Sequence, residues 1–103
     1  MNEVKKGDYV LATKYEDGCS KDHFCIGFFN GMLIDKYGKE TERYMIVDSN
    51  NKNFRANGFR RIGKISTEIG KILVDNIDII EQASCSVWYW RYHPNKLKKI
   101  AQM

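Results

Sequence analysis

A chain of 103 residues with three cysteines has room for one domain and an odd thiol count that argues against a secreted disulfide framework. Its 43% hydrophobic and 29% charged content is ordinary for a globular protein, and no apolar run approaches the ~20 residues that span a bilayer. Formal charge is +4: residues 1–53 carry nine acids and eight bases, residues 54–103 four acids and nine bases, so the second half is where an anion would be drawn.

The first sixty-odd residues lack proline, the main strand breaker, and read as β structure. GDYVLATKY (7–15) alternates as a strand, and EDGCSKDH (16–23) follows as a polar loop with Asp17-Gly18 as a turn signal. FCIGFFNGMLI (24–34) is a second strand whose Gly27 and Gly31 suggest a bend or bulge. DKYGKETE (35–42) reads as a hairpin loop and RYMIVDS (43–49) as a third strand. Asn50-Asn51 favours a tight turn, KNFRA (52–56) a short fourth strand, and FRRIGKI (59–65) a fifth after Asn57-Gly58.

The period then changes. Ser66 is a suitable N-cap, and Ile69, Ile72, Leu73, Ile77 and Ile80 recur at helical spacing, which predicts an amphipathic helix over 67–82 with Gly70 allowing close packing. SCSVWYWRY (84–92) is aromatic and β-prone, and PNKLKKIAQM (94–103) reads as a short basic helix opened by Pro94. The expected architecture is α+β and mainly β. It is one domain over 1–103, with a β core (1–65) and a helical and aromatic extension (66–103).

Five short strands of this kind, GDYVLA (7–12), FCIGFFNGML (24–33) and the hairpin RYMIVDSNNKNFRA (43–56) among them, resemble an SH3-like or Tudor-like barrel. That resemblance covers about two thirds of the chain and implies a small five-stranded barrel or curved antiparallel sheet whose loops hold a ligand.

Catalysis has little local support. Cys19, His23, Cys25 and Cys85 lack the paired spacing of structural zinc sites, no motif surrounds a cysteine nucleophile, and no phosphate loop is present. No catalytic residue, metal or cofactor is predicted.

The chemistry instead concentrates in NFRANGFRR (53–61) and WYWR (88–91), which pair arginines with aromatic rings. Guanidinium groups grip phosphate with a forked geometry and stack on rings, and aromatic rings stack on bases. Arg55, Arg60 and Arg91 are therefore candidate phosphate ligands, with Arg61 behind them. Phe59, Trp88 or Trp90 would stack a base, and Asn57 and His23 would read polar edges. Against this, Phe54, Phe59 and one tryptophan suit a core better than a ligand contact, and Arg60 and Arg61 of a strand face opposite ways, so that one could pair with Asp48. Strand alternation at 88–91 sets Trp88 and Trp90 on one face and Arg91 on the other.

GDYVLATKYEDG (7–18), DHFCIGFF (22–29), NFRANGFRRIGKIS (53–66) and SVWYWR (86–91) together resemble small bacteriophage-encoded proteins. Some proteins of that kind are anti-defence sponges that antagonise Thoeris or CBASS immunity. They bind cyclic ADP-ribose-type or cyclic oligonucleotide signals and do not cleave them. The resemblance implies a homo-oligomer with pockets near subunit interfaces, working in the host cytoplasm. A soluble intracellular location is also expected, since MNEVKKGDYV holds no apolar signal core. The leading expectation is sequestration of a nucleotide-derived signal. The alternatives are an interaction module for protein or nucleic acid, the latter less favoured at a net charge of only +4, and a small hydrolase of the same signal.

Overall fold

The computed structural model describes residues 4–16, 18–48, 54–55, 58–83 and 85–102, without the side chains of 48, 54 and 55. It is an α+β fold with one antiparallel sheet and four helices. Four strands carry the sheet: β1 (Tyr9–Thr13), β2 (Phe24–Ile34), β3 (Glu40–Asp48) and β5 (Arg61–Lys64). The expected fourth strand is reduced to the two-residue β4 (Phe54–Arg55), which pairs with the outer edge of β3. The order is β4-β3-β2-β1-β5, and the two ends of the sheet do not pair with each other. Of the two forms expected from the sequence, the five-stranded barrel is not formed, and the antiparallel sheet is present and open.

Residues 24–34 form one strand because its register bends without breaking: pairing with β3 shifts between Phe29 and Met32 and again between Met32 and Ile34. Gly31 sits at the first shift with φ +89°, a backbone conformation that side chains with a Cβ resist. β3 begins at Glu40, inside the expected hairpin loop, because Ile34 already pairs with Glu40.

The apolar run after Ser66 makes two helices, α1 (Thr67–Asp75) and α2 (Ile77–Ala83), in place of the single helix expected over 67–82. Ser66 caps α1 as expected, its hydroxyl accepting from the Ile69 N–H at 3.1 Å. Asn76 divides them: its side-chain amide donates to the Ile72 carbonyl at 2.8 Å, and its own carbonyl accepts from Ile79 and Ile80.

Residues 87–92 are a helix, α3 (Val87–Tyr92), and not the strand that their aromatic content suggested. Ser86 caps it by accepting from the Trp88 N–H at 3.1 Å, and Pro94 opens α4 (Pro94–Ala101) directly afterwards. With α3 helical, Trp88 and Trp90 do not share a face by alternation, and the reasoning that set Arg91 apart from Trp88 fails with it.

Period-two alternation in β1 and β2 feeds two cores, one on each side of the sheet. Leu11, Phe24 and Ile26 face the helices and pack with Ile65, Leu73, Ile80, Val87, Trp88, Trp90 and Leu97. Val10, Ala12 and Cys25 face the other way and pack with Ile46 and Phe59. Gly70 is a contact requirement of the first core: a Cβ there would lie 2.5 Å from the Tyr9 ring. No helix among the described residues is long and apolar enough to cross a membrane.

Candidate functional site

The arginine–aromatic chemistry converges where β1, β5 and α3 meet. β5 pairs with β1 so that Arg61 lies opposite Thr13 and Gly63 opposite Leu11. Since Leu11 faces the helices, alternation turns Arg61 and Gly63 the same way, toward α3. Gly63 supplies the space for Trp88: a Cβ there would sit 3.1 Å from both the Trp88 ring and an Arg91 nitrogen. The indole N–H donates to the hydroxyl of fully buried Thr13 at 3.0 Å, which fixes the ring plane. Trp88 is only 5% exposed and forms the floor.

Two guanidinium groups use that floor. Arg61 lies with its guanidinium carbon 4.4 Å from the indole centroid, and Arg91 with its own at 5.3 Å, both within cation–π range. Their other partners separate their roles. Arg91 donates to the Lys64 carbonyl at 2.6 Å and to the Tyr92 hydroxyl at 3.4 Å. Because the Ile65 N–H turns inward to Tyr9, the Lys64 carbonyl points away from β1, so Arg91 covers the outer edge of the sheet. Arg61 instead donates to the carboxylate of Glu16 at 3.2 Å, in a pair that is 48% and 93% exposed. An exposed pair of this kind contributes ~0–1 kcal/mol, so a phosphate could displace the carboxylate at little cost.

Around Arg61 the surface opens into a concavity of about 720 Å³, with Tyr15, Glu16, Ser86, Trp88 and Tyr92 among its walls. Tyr15 is 58% and Tyr92 67% exposed, so each turns part of its ring to solvent, while the Arg91 guanidinium carbon lies 5.0 Å from the Tyr92 centroid. The Ser86 hydroxyl donates to the Glu16 carbonyl at 3.1 Å and thereby ties the loop after β1 to the start of α3.

The sequence-predicted residues divide accordingly. Arg61, Trp88 and Arg91 come together within one chain. His23 reaches the site only through Tyr15, against whose ring it packs edge-on at 4.9 Å. Arg60 is exposed but lines two other hollows, one with Lys14, Tyr15 and Gly58 and one with residues of β3. Phe59 is fully buried in the second core and cannot stack on a ligand. Trp90 is buried in the first core, and its indole N–H has no acceptor among the described residues. Arg55 is placed only by its backbone in β4, and Asn57, like the Asp48 side chain offered as an arginine partner, lies outside the described residues. Among the described residues, the acid that pairs with Arg61 is Glu16.

Tyr15, Tyr92 and Glu16 were missed. A sequence signal existed for Tyr15: a large aromatic just past the apolar strand and beside an acid has no core to enter. Cys19 donates its thiol to the Cys85 carbonyl at 2.9 Å, so those two cysteines meet as a structural contact. Among the described residues no group of acids, histidines and cysteines is arranged to hold a metal ion.

Fold and site together define a class: a small α+β domain whose sheet edge and third helix build an open arginine–aromatic concavity. Comparison with protein families, curated proteins and solved structures finds no match to this chain.

Proposed function

We propose that the protein binds a small nucleotide-derived anion in this concavity and holds it without cleaving it. The observation that carries the reading is Arg61: a guanidinium laid on an indole and, among the described residues, paired with the exposed Glu16 carboxylate beside exposed aromatic rings. Such an arginine offers phosphate a forked donor already oriented by the ring beneath it. Tyr15 and Tyr92 offer faces to a base, and a volume of about 720 Å³ lies within the ~300–1,000 Å³ range of small-molecule sites. The sequence resemblance adds the ligand class, a cyclic ADP-ribose-type or cyclic oligonucleotide immune signal, and with it a role in sequestration.

The test is a ligand panel. The purified protein is incubated with cyclic nucleotides, ADP-ribose derivatives and linear nucleotides, then denatured by heat, and the released compound is identified. Intact ligand is expected from the wild type, with affinity by calorimetry reduced roughly ten-fold or more in Arg61→Ala, as for loss of a charge-assisted contact. A chemically altered product would make the protein an enzyme. Failure of every panel member to bind, or binding indifferent to Arg61, would remove the proposal.

A further inference from the structure

The concavity does not end at Arg61. Tyr89 also lines it, and the Tyr89 hydroxyl accepts from the Lys96 ammonium at 2.9 Å. Lys96 in turn belongs to a second hollow of about 490 Å³ on the outer side of α4, with Asn95, Lys98, Lys99 and Gln102. Asn95, Lys98, Lys99 and Gln102 stand at i, i+3, i+4 and i+7, one stripe of the helix opposite the buried Leu97. The Tyr89–Lys96 hydrogen bond therefore links a wall of one hollow to a wall of the other.

Charge follows the same path. Residues 1–81 hold thirteen acids and thirteen bases, whereas residues 82–103 hold no acid and four bases, Arg91, Lys96, Lys98 and Lys99. The whole +4 excess thus lies on the segment that runs from the Trp88 floor to the α4 stripe. A mononucleotide would use Arg61 and the exposed tyrosines and leave the lysine stripe idle. A cationic track that begins beside stacking rings fits a strand of bases and phosphates.

We infer that the ligand extends beyond one nucleotide: the site takes a short single-stranded nucleic acid, with one base and phosphate at Tyr15, Tyr92 and Arg61 and the following phosphates along Lys96, Lys98 and Lys99. This rests on the nucleotide-binding reading and extends it.

A length series tests it. Single-stranded oligonucleotides of one to eight residues, as DNA and as RNA, are titrated by fluorescence anisotropy and calorimetry across about 50–200 mM salt. The octamer is expected to bind at least ten-fold more tightly than the mononucleotide. Its logarithmic salt slope should fall by about 1.4 in Lys98→Gln/Lys99→Gln, at ~0.7 per phosphate contact on a single strand. Both lysines are exposed, so the variant should melt like the wild type, and its mononucleotide affinity should not change. Arg61→Ala should weaken both ligands. An octamer no tighter than the mononucleotide would overturn the extension and leave the nucleotide site standing. Equal affinity for the matching duplex, or for heparin at equal charge, would overturn it too by showing that bases are not read. Absence of binding by every member of this series would overturn the extension, while the nucleotide site itself stands or falls on the panel of cyclic nucleotides and ADP-ribose derivatives. A DNA–RNA difference in the longer members would identify which strand is the ligand.

Discussion

Thr13 directs its hydroxyl away from water and toward the Trp88 indole N–H, 3.0 Å off, in a fully buried position. Thr13→Val keeps the shape and removes the acceptor, so it should cost about 1–3 kcal/mol in urea unfolding, the penalty for a buried donor left alone. In a Trp88→Phe background the same change should cost much less, because no donor remains to be stranded. Trp90 supplies the comparison, since its buried N–H has no acceptor among the described residues. Trp90→Phe should therefore be milder than Trp88→Phe by about 1 kcal/mol, the net worth of one hydrogen bond. Equal costs would mean that the Thr13 bond does not hold the floor of the site. Thr13 was not legible as a site residue, because from sequence it is one polar position in an alternating strand. Its role depends on a helix whose first residue comes 74 positions later.

At the level of elements, the sheet was readable and the aromatic segment was not. Residues 24–34 form a strand with the bounds expected, because their apolar and aromatic run holds no proline and its Gly31 is absorbed by a shift of register. For 84–92 the same β propensity misled, since propensity gives way to capping and packing. The overlooked signals were Ser86 as a cap and Pro94 as a stop, the kind of evidence that placed α1 correctly at Ser66. Ser86 holds both α3 and the loop after β1, through the Trp88 N–H and the Glu16 carbonyl. Ser86→Ala should cost ~0.5–2 kcal/mol as a lost cap and should also weaken ligand binding, because Glu16 and Tyr15 lose their tie to α3. A stability loss with unchanged affinity would separate the cap from the site.

A turn before β1 is fastened to β5 by charge. The Lys5 N–H donates to the Asp8 carboxylate at 2.7 Å, and the Lys64 ammonium lies 3.5 Å from it, joining the turn to β5. The Lys5 hydrogen bond first and the charge of Lys64 after it, against some opposing desolvation, hold Asp8 below its usual 3.8. A depressed carboxylate stabilises the fold above its unfolded value and loses that contribution as pH falls through the lower folded value. Asp8→Asn should therefore lower the urea midpoint at pH 6 and converge with the wild type as pH falls below about 3.8. A difference that persists undiminished at low pH would place the effect in packing and not in charge.

Across the whole molecule, the sheet separates two cores with different coverings. Four helices contribute to the first, whereas the second is closed by Phe59, from the segment that leads into β5. Burial tendency favoured a core for Phe59, but its place between arginines kept it a candidate to stack on a base. The fold decides it: Arg61 faces the helices, its neighbour Ile62 packs on the opposite core, and Phe59 is buried there with Val10, Ala12, Cys25 and Ile46. Phe59→Ala should then cost about 3–5 kcal/mol, a large share of the ~5–15 kcal/mol that holds a domain together, and much of the protein should unfold. Loss of binding in that variant would say nothing about contact. Phe59→Leu is the informative change, because it keeps an apolar plug and removes the aromatic face. It should melt a few degrees lower and bind the ligand within about two-fold of the wild type, since a side chain on the far side of the sheet has no transition of its own to make on binding. A folded Phe59→Leu protein with abolished binding would return Phe59 to the site and displace Trp88 and the two exposed tyrosines as its aromatic wall.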